Sequence, residues 1–164
     1  MNDDDTTSAQ CADRVLDLSR APSRADLQMR DGKGSTTWSC DDGFQARAEL
    51  PDGTVTTMLS RQVSVDSYRA ADATTGAPTT VDVHSTDLGV EAAVSLAGQV
   101  ADDLGIDAGE LRSWSVAAEQ SETSDDVKTS FMENQVGYVL AQLQVVHQGV
   151  SGNNYVHLIL SWGA

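Results

Sequence analysis

The fold this sequence predicts is an α+β domain, two amphipathic helices packed on mainly antiparallel sheet. Three observations point to it. Val90, Ala93, Val94, Ala97, Val100, Ala101 and Leu104 recur at helical spacing before a Gly105 stop. Phe44, Ala46, Ala48 and Leu50 alternate with Gln45, Arg47 and Glu49, the period-two signature of a strand with one wet face. The runs Gly137 to His147 and Asn154 to Trp162 flank a turn-rich Gly149-Val150-Ser151-Gly152-Asn153 and predict a long C-terminal hairpin.

In chain order, residues 1–7 read as a disordered acidic tether, with neither the basic start nor the apolar stretch of a signal peptide. Such a start suits a chain beginning just after a removed export signal or lipid-anchor site. A single domain is expected over residues 8–164. Cys11, Ala12, Val15, Leu16 and Leu18 fall roughly on one helical face, so the first helix is predicted from Ser8 to Arg20, stopped by Pro22. Strands of a meander follow, punctuated by Asp31-Gly32-Lys33-Gly34, Asp41-Asp42-Gly43 and Pro51-Asp52-Gly53, with Val55, Thr57, Leu59, Val63 and Val65 continuing the apolar alternation.

Residues 66–86 are rich in Ala, Thr, Ser, Gly and Pro and read as a long exposed connection, with only Val81 and Val83 suggesting an extended piece. The second helix starts near Thr86 or Asp87 and ends at Leu104. Trp114, Val116 and Ala118 alternate with Ser113, Ser115 and Ala117 and predict a further strand. Each half then holds one helix followed by several strands, so the element order admits a duplication of 8–65 in 87–164, although no residue-level repeat accompanies it.

Composition narrows the function. Ten basic residues against 25 acidic give a net charge of −15, and Lys33 and Lys128 are the only lysines. This argues against nucleic acid and disfavours anionic lipid surfaces as partners, because a basic patch would have to be built from eight scattered arginines against a repulsive field. The residues show no transmembrane segment. Cys11 and Cys40, one on a predicted helix and one in a predicted strand, are placed to staple that helix to the sheet, which implies an oxidising compartment. The Asp-rich, Lys-poor surface also suits a halophilic cytoplasm, which stands as the alternative localisation.

Motifs that carry chemistry are sparse. No G-x-S-x-G elbow is present, and Gly149-Val150-Ser151-Gly152 joins two strands rather than a strand to a helix. Gly32-Lys33-Gly34-Ser35-Thr36 lacks phosphate-loop spacing, and the adjacent acids lack the calcium-loop pattern. His147 and His157 lie either side of the hairpin turn. With the turn centred near Gly152 they face one another and begin a transition-metal site, completed by Asp, Glu or His84. Trp38, Trp114 and Trp162 supply either core packing or an aromatic platform for a glycan or peptide.

The reading that follows is a non-enzymatic extracytoplasmic binding domain, such as the soluble part of a cell-envelope lipoprotein, with a protein, peptide or glycan partner and no cofactor. Two alternatives stand beside it. One is a metal-dependent or other hydrolase using His147 and His157. The other is an acidic inhibitor or immunity-type protein covering a basic cleft.

Overall fold

The computed structural model describes residues 11–122 and 124–163, so the acidic start and the first residues of the expected N-terminal helix lie outside the described residues. Eight strands form one sheet: β1 (Arg14–Asp17), β2 (Ser35–Glu49), β3 (Val55–Asp66), β4 (Thr80–Ser85), β5 (Val127–Lys128), β6 (Met132–Val136), β7 (Val139–His147) and β8 (Asn154–Ser161). Their order is β1-β2-β3-β4-β8-β7, and β5 and β6 follow one another along the outer edge of β7. Only β1 and β2 pair in parallel. Two helices, α1 (Val90–Leu104) and α2 (Leu111–Glu119), complete an α+β fold in which α1 packs on β3, β7 and β8. No helix among the described residues is long and apolar enough to cross a membrane.

Local sequence explains most elements. At the β2–β3 turn the Leu50 amide donates to the Thr54 carbonyl at 2.8 Å, and Gly53 takes a φ of 84° that side chains resist. Helix α1 buries Ala93, Ala97, Val100, Ala101 and Leu104 along one stripe. It ends at Gly105, left-handed at φ 67°, with the Ile106 amide returning to the Ala101 carbonyl at 2.9 Å. The start of α1 falls later than Thr86 because Leu88 is held to β8, its amide donating to the Asn154 carbonyl at 2.8 Å.

The sheet has one apolar and one polar face. Its inner face, carrying Phe44, Met58, Val63, Val83, Leu143 and Leu158, is the core under the helices. Burying each such side chain contributes about 1.5 to 3 kcal/mol. The sheet curls until its ends meet: Tyr138, in the β6–β7 turn, donates its hydroxyl to the Leu18 carbonyl just beyond β1 at 2.8 Å.

The structure corrects several sequence expectations. The first helix is not formed in the described residues; Arg14–Asp17 is a strand docked on the edge of β2. Leu16 and Leu18 point inward while Val15 is 60% exposed, a period-two alternation too short to stand out against the helical pattern. The expected strand around Trp114 is helix α2, which buries Leu111, Trp114 and Ala118 at helical spacing and leaves Val116 exposed. Among the described residues the two helices are α1 and α2, both in the second half. One sheet joins the two halves. The exposed connection is shorter than residues 66–86, because Thr80–Ser85 is a central strand. In β3 the alternation changes phase: Thr56, Met58 and Ser60 point inward ahead of Arg61, and Val63 and Val65 do so after it. An extra residue in β3 between the Ser60 and Gln62 pairings causes the switch.

Two ties fix the N-terminal segment. Cys11 and Cys40 form a disulfide with Cα atoms 5.2 Å apart, joining the approach to β1 to the irregular stretch of β2. Among the described residues, the bond fastens the turn that leads into β1 to the sheet. Arg24 spreads its guanidinium over two loops: Nη1 donates to Ser67 Oγ and to the Ala73 and Gly76 carbonyls, and Nη2 to the Arg30 and Lys33 carbonyls at 2.8 and 2.6 Å.

Replacing both cysteines by serine is expected to lower unfolding free energy by about 3 to 4 kcal/mol in the chain-entropy account of a loop this size, read as a lower urea midpoint. Arg24→Met should cost about 1 to 2 kcal/mol, since it strips five carbonyl and hydroxyl acceptors of a charged donor that is itself partly solvated. Urea titration checks both, and a midpoint unchanged in Arg24→Met would show that the loops hold without the clamp.

Candidate functional site

The residues with most chemical potential gather on the outer face of the sheet. Strand pairing lays Gln62 of β3 opposite His84 of β4, His84 opposite His157 of β8, and His157 opposite Gln144 of β7. Four polar side chains thus form a row across the four central strands. One step along, Ser64, Asp82, Ile159 and Gln142 form a second row. The Val81 and Val83 alternation that drives β4 into the core is what turns Asp82 and His84 outward.

Asp82 reaches diagonally, and its Oδ1 lies 2.7 Å from His157 Nε2, which donates to it. The imidazoles of His84 and His157 stack with centroids 4.2 Å apart. Tyr155 stands 5.4 Å from the His84 ring, and Phe131 presents an edge to His157 at 6.1 Å. One ligand-type atom from each of Asp82, His84 and His157 lies within 4.8 Å of the others, and all three residues are half-buried. The flanking glutamines are engaged: Gln144 donates to the Thr129 carbonyl at 2.9 Å and Gln142 to Glu133 at 3.0 Å.

Electrostatics distinguishes these groups. The pKa of His84 is lowered to about 4, chiefly by burial and then by the neighbouring His157, with Asp82 opposing and Arg61 adding to the shift. Burial, with Asp82 as a further contribution, pushes the Asp66 carboxyl above its usual range. Arg61, at the β3 bulge, pairs with Asp87 at 3.6 Å.

His147 and His157 do not face one another. The ladder pairs His147 with Asn154 and centres the loop between Val150 and Ser151, not at Gly152. His157 consequently sits opposite Gln144, and an offset of three residues sends His147 to the other face. There it is buried, with Nδ1 2.8 Å from Asn154 Oδ1, while Asn154 donates to the Leu88 carbonyl. It anchors the lead into α1. The site expected on His147 and His157, with Asp, Glu or His84 completing it, is thus not brought together as a pair; the groups beside His157 are Asp82 and His84.

The tryptophans lie apart, each under 10% exposed. Trp38 on β2 lies beneath the Arg14 guanidinium at 4.0 Å, beside a cleft of about 190 Å³ that Asp26 and Gln28 also line. Trp114 on α2 donates its indole N–H to the Val127 carbonyl at 3.0 Å. Trp162, just past β8, packs edge-on against Tyr138 and borders an apolar hollow of about 360 Å³ with Pro22 and Pro78. They are core residues rather than one exposed platform.

With this fold and face described, the chain can be placed only by class, as an α+β protein with helices on one side of a curled sheet. No known family, curated protein or solved structure matches it.

The depressed pKa of His84 makes stability depend on pH. Between about pH 6.5, where an unfolded histidine titrates, and about pH 4, the unfolded chain takes up a proton that folded His84 refuses. Stability contributed by neutral His84 is therefore complete above that window and lost as pH falls through it. Allowing for screening of the half-buried ring, the loss should be about 1 to 2 kcal/mol. Urea midpoints measured across the window in chelating buffer should fall less steeply for His84→Gln than for the parent. Equal slopes would contradict the assignment.

Proposed function

We propose that this chain is a non-enzymatic binding domain working outside the reducing cytoplasm, secreted or anchored at the cell envelope, that meets a protein or peptide partner with the outer face of its sheet. The Cys11–Cys40 bridge carries the reading, because such bonds persist in oxidising compartments and are rare in reducing ones. The choice of surface is supported by the one-sided helices, which among the described residues leave the rows around His84 and His157 without a helix over them. Phe131 at 43% exposed and half-buried Tyr155 add the aromatic character that interface centres favour. The net charge of −15 steers a basic partner toward the domain and repels polyanions.

Two measurements in the native cell test this. Rapid alkylation before lysis should leave Cys11 and Cys40 unmodified, and free thiols would remove the basis for an oxidising compartment. A photo-crosslinking side chain at Phe131 should give a discrete adduct with an envelope protein. The same group at Val116, similarly exposed on α2, should give none. Adducts from both positions, or from neither, would overturn the choice of surface, and a glycan adduct at Phe131 would keep the surface and replace the partner.

A further inference from the structure

We infer that Asp82, His84 and His157 form a binding site for one divalent transition-metal ion of the zinc, cobalt or nickel type. The donor set selects the metal: two imidazoles and one carboxylate suit zinc and its neighbours, whereas calcium and magnesium want oxygen-only cages. The donors come from two central, directly paired strands, so their backbone positions are fixed by the ladder rather than by a loop.

Distances fit a small adjustment. In a tetrahedral shell with metal bonds near 2.1 Å, neighbouring ligand atoms stand about 3.4 Å apart. Asp82 Oδ1 and His157 Nε2 are at 2.7 Å, so this hydrogen bond opens slightly, and the widest separation, within 4.8 Å, closes by rotation of side chains on a fixed backbone. The single ring proton of neutral His157 shifts from Nε2 to Nδ1, which frees the Nε2 lone pair for the metal, and the hydrogen bond to Asp82 Oδ1 is exchanged for two metal bonds. Three protein ligands leave a fourth position for water or a ligand atom from a partner.

The surroundings are mixed. Arg61 brings a positive charge near the imidazoles, but it is committed to Asp87, and Asp66 lies close enough to act on Asp82. The β3 bulge that places Arg61 there also sets Gln62 beside His84, and such irregularities are enriched next to functional sites. This inference stands apart from the compartment and the partner, because metal uptake is read on the isolated protein.

The test uses untagged, chelator-treated protein titrated with Zn²⁺ by calorimetry, and with Co²⁺ by absorbance and by proton resonance of the three histidines. Expected are one equivalent bound and resonances of His84 and His157 that shift or broaden while those of His147 hold still. Loss of a ligand in His84→Ala or His157→Ala should weaken binding by about a hundredfold or more, since even outer-shell losses cost about 10- to 100-fold. His147→Ala should bind normally if folded. The resonance measurement needs no variant, so a variant that fails to fold does not obscure the answer. No stoichiometric uptake, uptake that survives in His84→Ala/His157→Ala, or perturbation of His147 instead of the pair would overturn the site.

Discussion

The antiparallel pairing of β4 with β8 is the contact on which the rest of the structure depends. Without it the chain would hold two separate β units: β1 to β4 on one side, and β5 to β8 on the other. Val81 opposite Leu160 and Val83 opposite Leu158 join them into one sheet with one inner face. That face gives α1 a surface extending from β3 to β7, which neither unit offers alone. The same pairing places His84 opposite His157 and brings Asp82 within reach of it, so the core and the polar cluster are two faces of one ladder.

Closure at the ends of the sheet is achieved differently. The Tyr138 hydroxyl, held on the Leu18 carbonyl and packed on Trp162, ties the β6–β7 turn to the start of the sheet. Burial, with Asp17 adding to it, pushes the Tyr138 pKa up to about 12, so this tie remains a neutral donor through any ordinary pH. Arg24 and the disulfide then fasten the loops and the approach to β1. The N-terminal portion thus relies on specific point contacts where the C-terminal portion relies on helix burial.

Much of the fold was legible. The α1 stripe, its Gly105 stop, the β2–β3 turn at Pro51-Asp52-Gly53, the final hairpin and the cysteine pairing follow from periodicity, turn chemistry and spacing, all local signals. The errors lie where two periodicities compete over few residues. Cys11 to Leu18 satisfies a helix and, from Val15, also a strand; the edge of β2 decides, because docking there buries Leu16 and Leu18. Leu111 to Ala118 is the reverse case, in which Trp114 and Ala118 serve either pattern and the inward position of Leu111 settles the helix.

The candidate cluster was legible only in part. His157 and its accompanying acid and histidine were visible as residue types, but which histidine joins His157 depends on register, and register depends on loop length. Centring the loop between Val150 and Ser151 rather than at Gly152 moves the partner of His147 from His157 to Asn154 and reverses the face. The sequence by itself determined the composition of this protein's faces: the acidic surface, the apolar stripes and the alternation that turns Asp82 and His84 away from Val81 and Val83. Tertiary structure alone decided which strands became neighbours, because pairing between distant segments is selected by burial of a shared face, and no local pattern encodes that choice.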